Sequence, residues 1–173
     1  MTNWNELKEY LDEDKFLYIA IKRAFNDLYR FDKYLIDNEP SEKRCPEEIG
    51  KHYVGERSIV FRFAHYLQNE LAKSPKYSKY NLDCEYNRNG IATKSLPDFS
   101  KGTFPDLIIH KRGKNGSKNN LLIMEFKTYW NSNTGRDIDK VKQFVDEKGK
   151  YKYKYGIVVV IGKKLSETKL KCI

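Results

Sequence analysis

Two neighbouring apolar segments carry charged residues at positions where a β-strand would normally bury its side chains. One segment begins with Pro105-Asp106, and the other ends with Glu125-Phe126-Lys127. Alternate residues of a strand share a face, so Glu125 and Lys127 are expected to point to one side and Phe126 to the other. A hairpin between the two strands would place the Asp106 carboxylate beside that of Glu125.

Two carboxylates that lie this close repel each other unless a cation lies between them. A hard divalent ion fits, because Mg²⁺ commonly binds one or two carboxylates together with water and substrate phosphate. Lys127 follows Glu125 by one alternation, where it could orient an attacking water or hold a phosphate. Simpler explanations exist, since Pro-Asp is ordinary turn chemistry and Glu125 with Lys127 could form a solvent-facing ion pair. Taken together, the three residues predict a magnesium site.

The hydrophobic pattern predicts the elements that would position these residues. Residues 5–37 are predicted to be helical in two pieces, and residues 37–55 contain two prolines and two glycines and are predicted to be a linker. Further helices are predicted at 56–73 and 134–148, the second capped by Thr134, and strands at 81–88, 105–112, 120–128 and 155–162. The apolar stripe of the first segment, which includes Leu17, Ala24, Leu28 and Phe31, is expected to be buried. The order after residue 50 is α, β, β, β, α, β, and the residues after Gly162 are left unassigned.

The charge divides the chain into an acidic first part and a basic second part. Residues 1–50 contain 8 Lys and Arg against 12 Asp and Glu, residues 51–173 contain 25 against 12, and the net charge is +9. We therefore predict a helical extension and linker at 1–50 and a core domain at 51–173. A basic domain favours nucleic acid as a partner, because Lys and Arg displace counterions from a phosphate backbone. Solubility alone is the simpler explanation for the lysines.

Cysteine usage and hydropathy indicate a cytoplasmic protein with no membrane partner. The three cysteines, Cys45, Cys84 and Cys172, form no CxxC pair, which argues against a zinc site or a disulfide framework. No segment approaches the roughly 18 apolar residues that a membrane span needs. The N-terminus lacks the basic-then-apolar layout of a secretion signal.

Pro105-Asp106 followed by Glu125-x-Lys127 on the next strand resembles the motif of the PD-(D/E)xK nuclease superfamily. The predicted element order over roughly residues 54–162 is also similar to the core of that superfamily. The resemblance implies an α/β fold with a restriction-endonuclease-like αβββαβ core, in which helices flank a mixed central sheet. It also implies metal-dependent hydrolysis of a phosphodiester bond, with DNA as the favoured substrate of an endonuclease. Mg²⁺ would be the cofactor, Mn²⁺ would substitute for it, and a homodimer is one arrangement that would cut both strands.

The resemblance also assigns roles to individual residues. Asp106, Glu125 and the backbone carbonyl of Phe126 would be metal ligands, and Lys127 would position or activate the water. Many members of the superfamily add an acid from the first core helix, and Glu56, within the apolar stripe that faces the sheet, is the candidate for this further metal ligand. The simpler role of Glu56 is that of a favourable acid at a helix N-terminus. Glu70, on the same helix, is the second candidate for the additional acid.

Two other classes of function are compatible with the sequence. One is a non-catalytic nucleic-acid-binding module that uses only the basic surface, although two acids facing phosphate argue against it. The other is a protein-interaction subunit that docks through the acidic helices. The alternating lysines and tyrosines at 148–156 could offer rings for stacking on nucleic acid, although a solvated lysine face is the commoner origin of such a repeat.

Overall fold

A computed structural model of the chain describes residues 4–37, 54–89, 92–99, 102–114 and 116–173. These residues form an α/β fold with four α-helices and a five-stranded mixed sheet, which confirms the predicted α/β class, while the restriction-endonuclease-like core stays a prediction. The helices are α1 (Trp4–Tyr10), α2 (Lys15–Phe31), α3 (Glu56–Leu71) and α4 (Gly135–Val145). The strands are β1 (Asn81–Cys84), β2 (Arg88–Asn89), β3 (Ala92–Thr93), β4 (Leu107–His110), β5 (Asn120–Thr128), β6 (Tyr155–Ile161) and β7 (Lys169–Cys172).

The main sheet has the order β1-β4-β5-β6-β7, so that β5 is its central strand. Strands β4 and β5 form the predicted antiparallel hairpin, and β5 runs parallel to β6, to which it is connected through α4. Three details differ from the predictions. The strand predicted at 81–88 ends at Cys84, the residues after Gly162 include β7, and Thr134 makes no side-chain capping bond to α4. Asn133 Oδ1 instead accepts a hydrogen bond from the Gly135 N–H at 3.3 Å.

Strand β5 presents its two faces to two different apolar clusters. Leu122, Met124 and Phe126 belong to the cluster that includes α2 and α3, whereas Ile123 belongs to the cluster that includes α4. The predicted alternation is therefore confirmed over these residues. Leu121 is an exception, because it joins the first cluster. The pairing of β4 with β5 shifts register after Ile109, and such a bulge changes the side to which a residue points.

The two N-terminal helices cover one face of the sheet together with α3. Helix α2 lies against α3, and the rings of Phe25 and Phe63 have centroids 4.4 Å apart. The expectation that Phe31 would be buried is wrong, because this residue ends α2 and is 61% exposed. Most of the predicted linker, with Cys45, lies outside the described residues. The boundary at residue 50 between extension and core domain also lies there and stays a prediction.

The buried carboxylate of Asp14, which is 3% exposed, fixes the N-terminal helices to the rest of the fold. Its Oδ1 accepts hydrogen bonds from Lys76 Nζ and from Tyr77 Oη, the latter at 3.0 Å. Its Oδ2 accepts hydrogen bonds from Lys154 Nζ at 3.0 Å and from Tyr155 Oη at 2.9 Å. Burial alone would raise the pKa of Asp14, but these four hydrogen bonds outweigh burial and hold the pKa at about 2.

Replacing Asp14 should weaken the fold far more than replacing its exposed neighbour. We expect Asp14→Asn to lower the free energy of unfolding by about 2–3 kcal/mol at neutral pH, because charged hydrogen bonds to two lysines are lost. Asp12→Asn is the matched control, since its ion pair with Lys15 is exposed, and it should change stability by less than about 0.5 kcal/mol. Urea denaturation of the three proteins measures both effects.

Acid should remove the difference between the wild-type protein and Asp14→Asn. The folded-state pKa of Asp14, about 2, lies below its usual value of 3.8. The carboxylate therefore contributes its full stabilisation above about pH 4 and loses it progressively as the pH falls towards about 2. A stability gap that stays constant over this range would contradict the assignment of the low pKa to Asp14.

Candidate active site

The β4–β5 hairpin brings Asp106 next to the end of β5. Leu107 pairs with Met124 across the hairpin, so the preceding residue, Asp106, lies beside Glu125. Asp106 Oδ2 accepts a hydrogen bond from the backbone N–H of Phe126 at 2.7 Å, which fixes the position of this carboxylate. The predicted proximity of the two acids is therefore present in the structure.

The carboxylate of Glu125 is buried in the centre of the sheet and only half satisfied. Glu125 is 1% exposed, and its Oε2 accepts a hydrogen bond from Lys140 Nζ at 2.8 Å. Its Oε1 has no hydrogen-bond partner among the described residues. Burial and, after it, the charge of Asp106 raise the pKa of Glu125 well above its usual value, against the opposing effect of Lys140. Burial also raises the pKa of Asp106, although the Phe126 N–H, Lys140 and Lys127 oppose this.

Lys127 lies at the exposed end of the same face and is surrounded by oxygen atoms. Its Nζ is 3.4 Å from Glu56 Oε1, 3.5 Å from Asp137 Oδ2 and 3.3 Å from the carbonyl oxygen of Phe126. Burial alone would lower the pKa of Lys127, but the charges of Glu56, Asp137 and Asp106 outweigh burial and raise it. Lys127 is therefore held as an ammonium ion, which suits it to attract an anion and not to accept a proton.

Of the two candidate acids on α3, only Glu56 lies near these residues in the described structure. Glu56 is the first residue of α3, and its pKa is raised by burial and by Asp106 and Asp137, against the opposing effect of Lys127. Glu70 lies in the last turn of the helix, where it pairs with Arg23 and Lys73. Glu70 therefore has a structural role, and the helix contributes Glu56 to the site.

Two residues of α4 that the sequence pattern does not single out complete the group. Lys140 Nζ donates hydrogen bonds to Glu125 Oε2 and, at 2.7 Å, to the carbonyl oxygen of Phe104, and Asp137 lies beside Lys127. The sequence nevertheless indicates which way Asp137 and Lys140 face, because residues four apart lie on the same face of a helix. Asp137 precedes the buried Val141 by four positions and Lys140 precedes the buried Phe144 by four, so both face the sheet.

An open cavity of about 640 Å³ borders this group. It is lined by Glu56 at the start of α3, by Asp106 before β4, and by Asp137 and Lys140 of α4. Two arginines, Arg57 and Arg136, and a further acid, Glu85, also line it, and Arg57 pairs with Glu85 at 3.0 Å. The cavity has the size of small-molecule sites in proteins, and both acidic and basic groups are accessible from it.

The charges in the group suit a divalent cation, although the acids do not form a complete protein cage. Four carboxylates (Glu56, Asp106, Glu125 and Asp137) lie among two ammonium groups (Lys127 and Lys140), which leaves two negative charges in excess when all are ionised. Within the described ranges, no group of three or more His, Cys, Asp or Glu side chains is arranged to hold a metal ion. Two carboxylates with a backbone carbonyl nevertheless match what Mg²⁺ takes from proteins, because Mg²⁺ retains several waters.

The lysine–tyrosine repeat does not provide rings for nucleic acid. Tyr151, Tyr153 and Tyr155 are all buried, whereas Lys152 and Lys154 between them are exposed. The Tyr151 hydroxyl donates to the carbonyl oxygen of Ser95 at 3.0 Å, and the Tyr155 hydroxyl donates to Asp14. The repeat is therefore explained by a solvated lysine face over a buried tyrosine face.

Comparisons of this chain with protein-family models, curated proteins and solved structures find no match. The fold is α/β with a five-stranded mixed sheet, and the resemblance to the PD-(D/E)xK superfamily stays a prediction. In the part of the chain that the structure describes, no helix has the length and apolar character needed to cross a membrane.

The ion pair between Lys140 and Glu125 should contribute more to the free energy of unfolding than an exposed ion pair on the same helix. We expect Lys140→Ala to lower the free energy of unfolding by about 2–4 kcal/mol, because a buried carboxylate loses its counter-charge. Lys142→Ala is the matched control, since Lys142 pairs with Asp139 at the surface of the same helix. Adding Glu125→Gln to Lys140→Ala should restore part of the loss, and additive effects in this double-mutant cycle would contradict the coupling.

Proposed function

We propose that the protein is a magnesium-dependent nuclease that hydrolyses phosphodiester bonds, with DNA as its favoured substrate, on a restriction-endonuclease-like core. One observation carries the proposal. Asp106 lies beside Glu125 and lines an open cavity, the ammonium group of Lys127 lies among neighbouring acids, and the buried Oε1 of Glu125 has no hydrogen-bond partner among the described residues. Buried polar atoms are rarely left without a partner unless the site has a function or binds an ion or water.

Asp106, Glu125 and the carbonyl oxygen of Phe126 would hold Mg²⁺, and Mn²⁺ would substitute for it. When bound, the ion neutralises charge on the scissile phosphate and lowers the pKa of a coordinated water. Glu56 has a different part in this proposal, because its nearest partner is Lys127 at 3.4 Å. We assign it to positioning the Lys127 ammonium, with Asp137 as the second support.

Lys127 supplies a fixed positive charge at the place where the phosphate would lie. Its raised pKa keeps it protonated, so it would stabilise the negative charge that develops on the phosphate oxygens and orient the attacking water. Arg57 and Arg136 at the cavity would contact neighbouring phosphates, since a guanidinium group matches the geometry of phosphate oxygens. The water oxygen forms a bond to phosphorus as the bond to the leaving oxygen breaks, and the leaving oxygen ends protonated.

A non-catalytic nucleic-acid-binding module is the second candidate, and one observation favours it. Lys140 already compensates Glu125 with a hydrogen bond of 2.8 Å, so the acid has a role in the fold without any metal. The two candidates differ in a single assay. Incubation of plasmid, single-stranded DNA and RNA with Mg²⁺ gives cleavage products for the nuclease and intact nucleic acid for the binding module.

Removing either central carboxylate should abolish cleavage without unfolding the protein. We expect Asp106→Asn and Glu125→Gln to lose Mg²⁺- and Mn²⁺-dependent cleavage, while circular dichroism and nucleic-acid binding stay close to wild type. The folded state should be retained because an amide at position 125 keeps an oxygen that can accept the hydrogen bond from Lys140, and because each substitution removes repulsion between the two acids. Asp139→Asn, an exposed acid on α4, is the control and should cleave normally. Near-normal metal-dependent activity in either of the first two variants would refute the site.

Lys127→Ala should affect the rate of cleavage more than the affinity for substrate. A single group that stabilises developing charge contributes roughly 10²–10³ in rate, whereas one phosphate contact contributes modestly to binding. Lys169→Ala, an exposed lysine of β7, is the control and should leave the rate unchanged. Single-turnover cleavage and binding titrations separate the two quantities. Weaker binding with an unchanged rate would show that Lys127 contacts phosphate and has no part in the chemical step.

A further inference from the structure

The wall of the cavity next to Asp106 carries an exposed aromatic ring on a fixed backbone. Phe104 is 48% exposed and lines the cavity. Its carbonyl oxygen accepts a hydrogen bond from Lys140 Nζ at 2.7 Å, and the same ammonium group donates to Glu125. Pro105, which follows, is buried and restricts the backbone of the residue before it. The backbone that carries the ring is therefore fixed at the cavity, while the side chain remains about half exposed.

A second aromatic ring and a cation lie in the same cavity. Phe99 lines it, and the guanidinium group of Arg136 lies over the Phe99 ring, with Cζ 5.1 Å from the centroid. This cation–π contact orients Arg136. The cavity thus combines two aromatic rings with cationic and carboxylate groups, and a nucleotide, which carries a flat ring close to a phosphate, matches both kinds of surface.

We propose that Phe104 forms a stacking site for one unpaired nucleobase beside the scissile phosphate, so that the substrate is single-stranded or locally opened DNA. This inference rests on the proposed nuclease function and specifies its substrate class. In an intact duplex each base face is covered by its neighbours, so a ring in a cavity can stack only on a base that has left the duplex or was never paired. A protein partner fits less well, because these rings lie among charged residues and form no contiguous apolar patch.

Four proteins test the proposal: the wild type, Phe104→Ala, Phe104→Leu and Phe104→Trp. Their binding to a short single-stranded DNA that contains 2-aminopurine is measured by fluorescence at low salt in EDTA, which prevents metal-dependent cleavage. Wild type and Phe104→Trp should quench the 2-aminopurine signal and bind the single strand more tightly than the matching duplex. Phe104→Ala and Phe104→Leu should bind about 5- to 10-fold more weakly, the lower part of the range for a stacked base.

Phe31→Ala is the matched control, because Phe31 is similarly exposed, at 61%, but does not line the cavity. A series of strands with single abasic residues completes the test. At one position the missing base should weaken wild-type binding by the same factor as Phe104→Ala, and the two changes together should have no further effect. Equal binding by Phe104→Ala, Phe104→Leu and Phe31→Ala would overturn the proposal, as would equal affinity for single strand and duplex. Magnesium-dependent cleavage by the wild type, assayed separately, shows whether the nuclease function survives such a result.

Discussion

An acid buried at the centre of a sheet is a constraint that the surrounding elements must satisfy. An ionised carboxylate in a protein interior costs several kcal/mol unless it is paired and hydrogen-bonded. Glu125 is 1% exposed on the central strand, and Lys140 of α4 supplies its counter-charge. The lysine also holds the Phe104 carbonyl, so one ammonium group joins α4, β5 and the segment before β4. This ion pair therefore helps to hold α4 against the sheet, together with the buried Val141 and Phe144 of the same helix.

The two most buried acids among the described residues differ in how completely their carboxylate oxygens are hydrogen-bonded. Asp14 accepts hydrogen bonds on both carboxylate oxygens from four side chains, and its pKa is low. Glu125 accepts one hydrogen bond on one oxygen, and its pKa is raised. A fully satisfied buried acid stabilises the native state, whereas a half-satisfied acid is a cost that selection tolerates where a ligand completes it. Glu125 matches the half-satisfied case and its neighbour, Asp106, is also acidic, which is the basis on which a metal is proposed there.

The hydrophobic repeat within one helix or one strand is enough to predict that element and the face on which each of its residues lies. The four-residue repeat of α3 and the alternation along β5 predict where Glu56, Glu125 and Lys127 lie, and the hairpin predicts that Asp106 lies beside Glu125. The role of Lys140 depends on how α4 lies over the sheet. The hydrophobic pattern of α4 shows which residues face the sheet but not which strand residue each one meets. Leu121 points to the other face because of a register shift that depends on the pairing of two strands. Phe31 is the last residue of α2 and is exposed, so the buried stripe of this helix ends before it.

Part of the acidic character of the first part of the chain is used in ion pairs inside the molecule. Four of its acidic side chains pair with cations of the basic part: Asp14 with Lys76 and Lys154, Glu13 with Lys154, Asp32 with Arg62, and Asp37 with Lys163. These cations are compensated within the fold, so the attraction of a polyanion depends on cations placed elsewhere. Arg57 and Arg136 at the cavity are such cations, and the ion pair that the exposed Arg57 makes with the partly buried Glu85 is weakened by water. Arg57 and Arg136 therefore remain as cations at the cavity, whose lining also contains the carboxylates of Glu56, Glu85, Asp106 and Asp137. A polyanion would meet both signs of charge there, and in the proposed function a bound metal would offset the excess of acids.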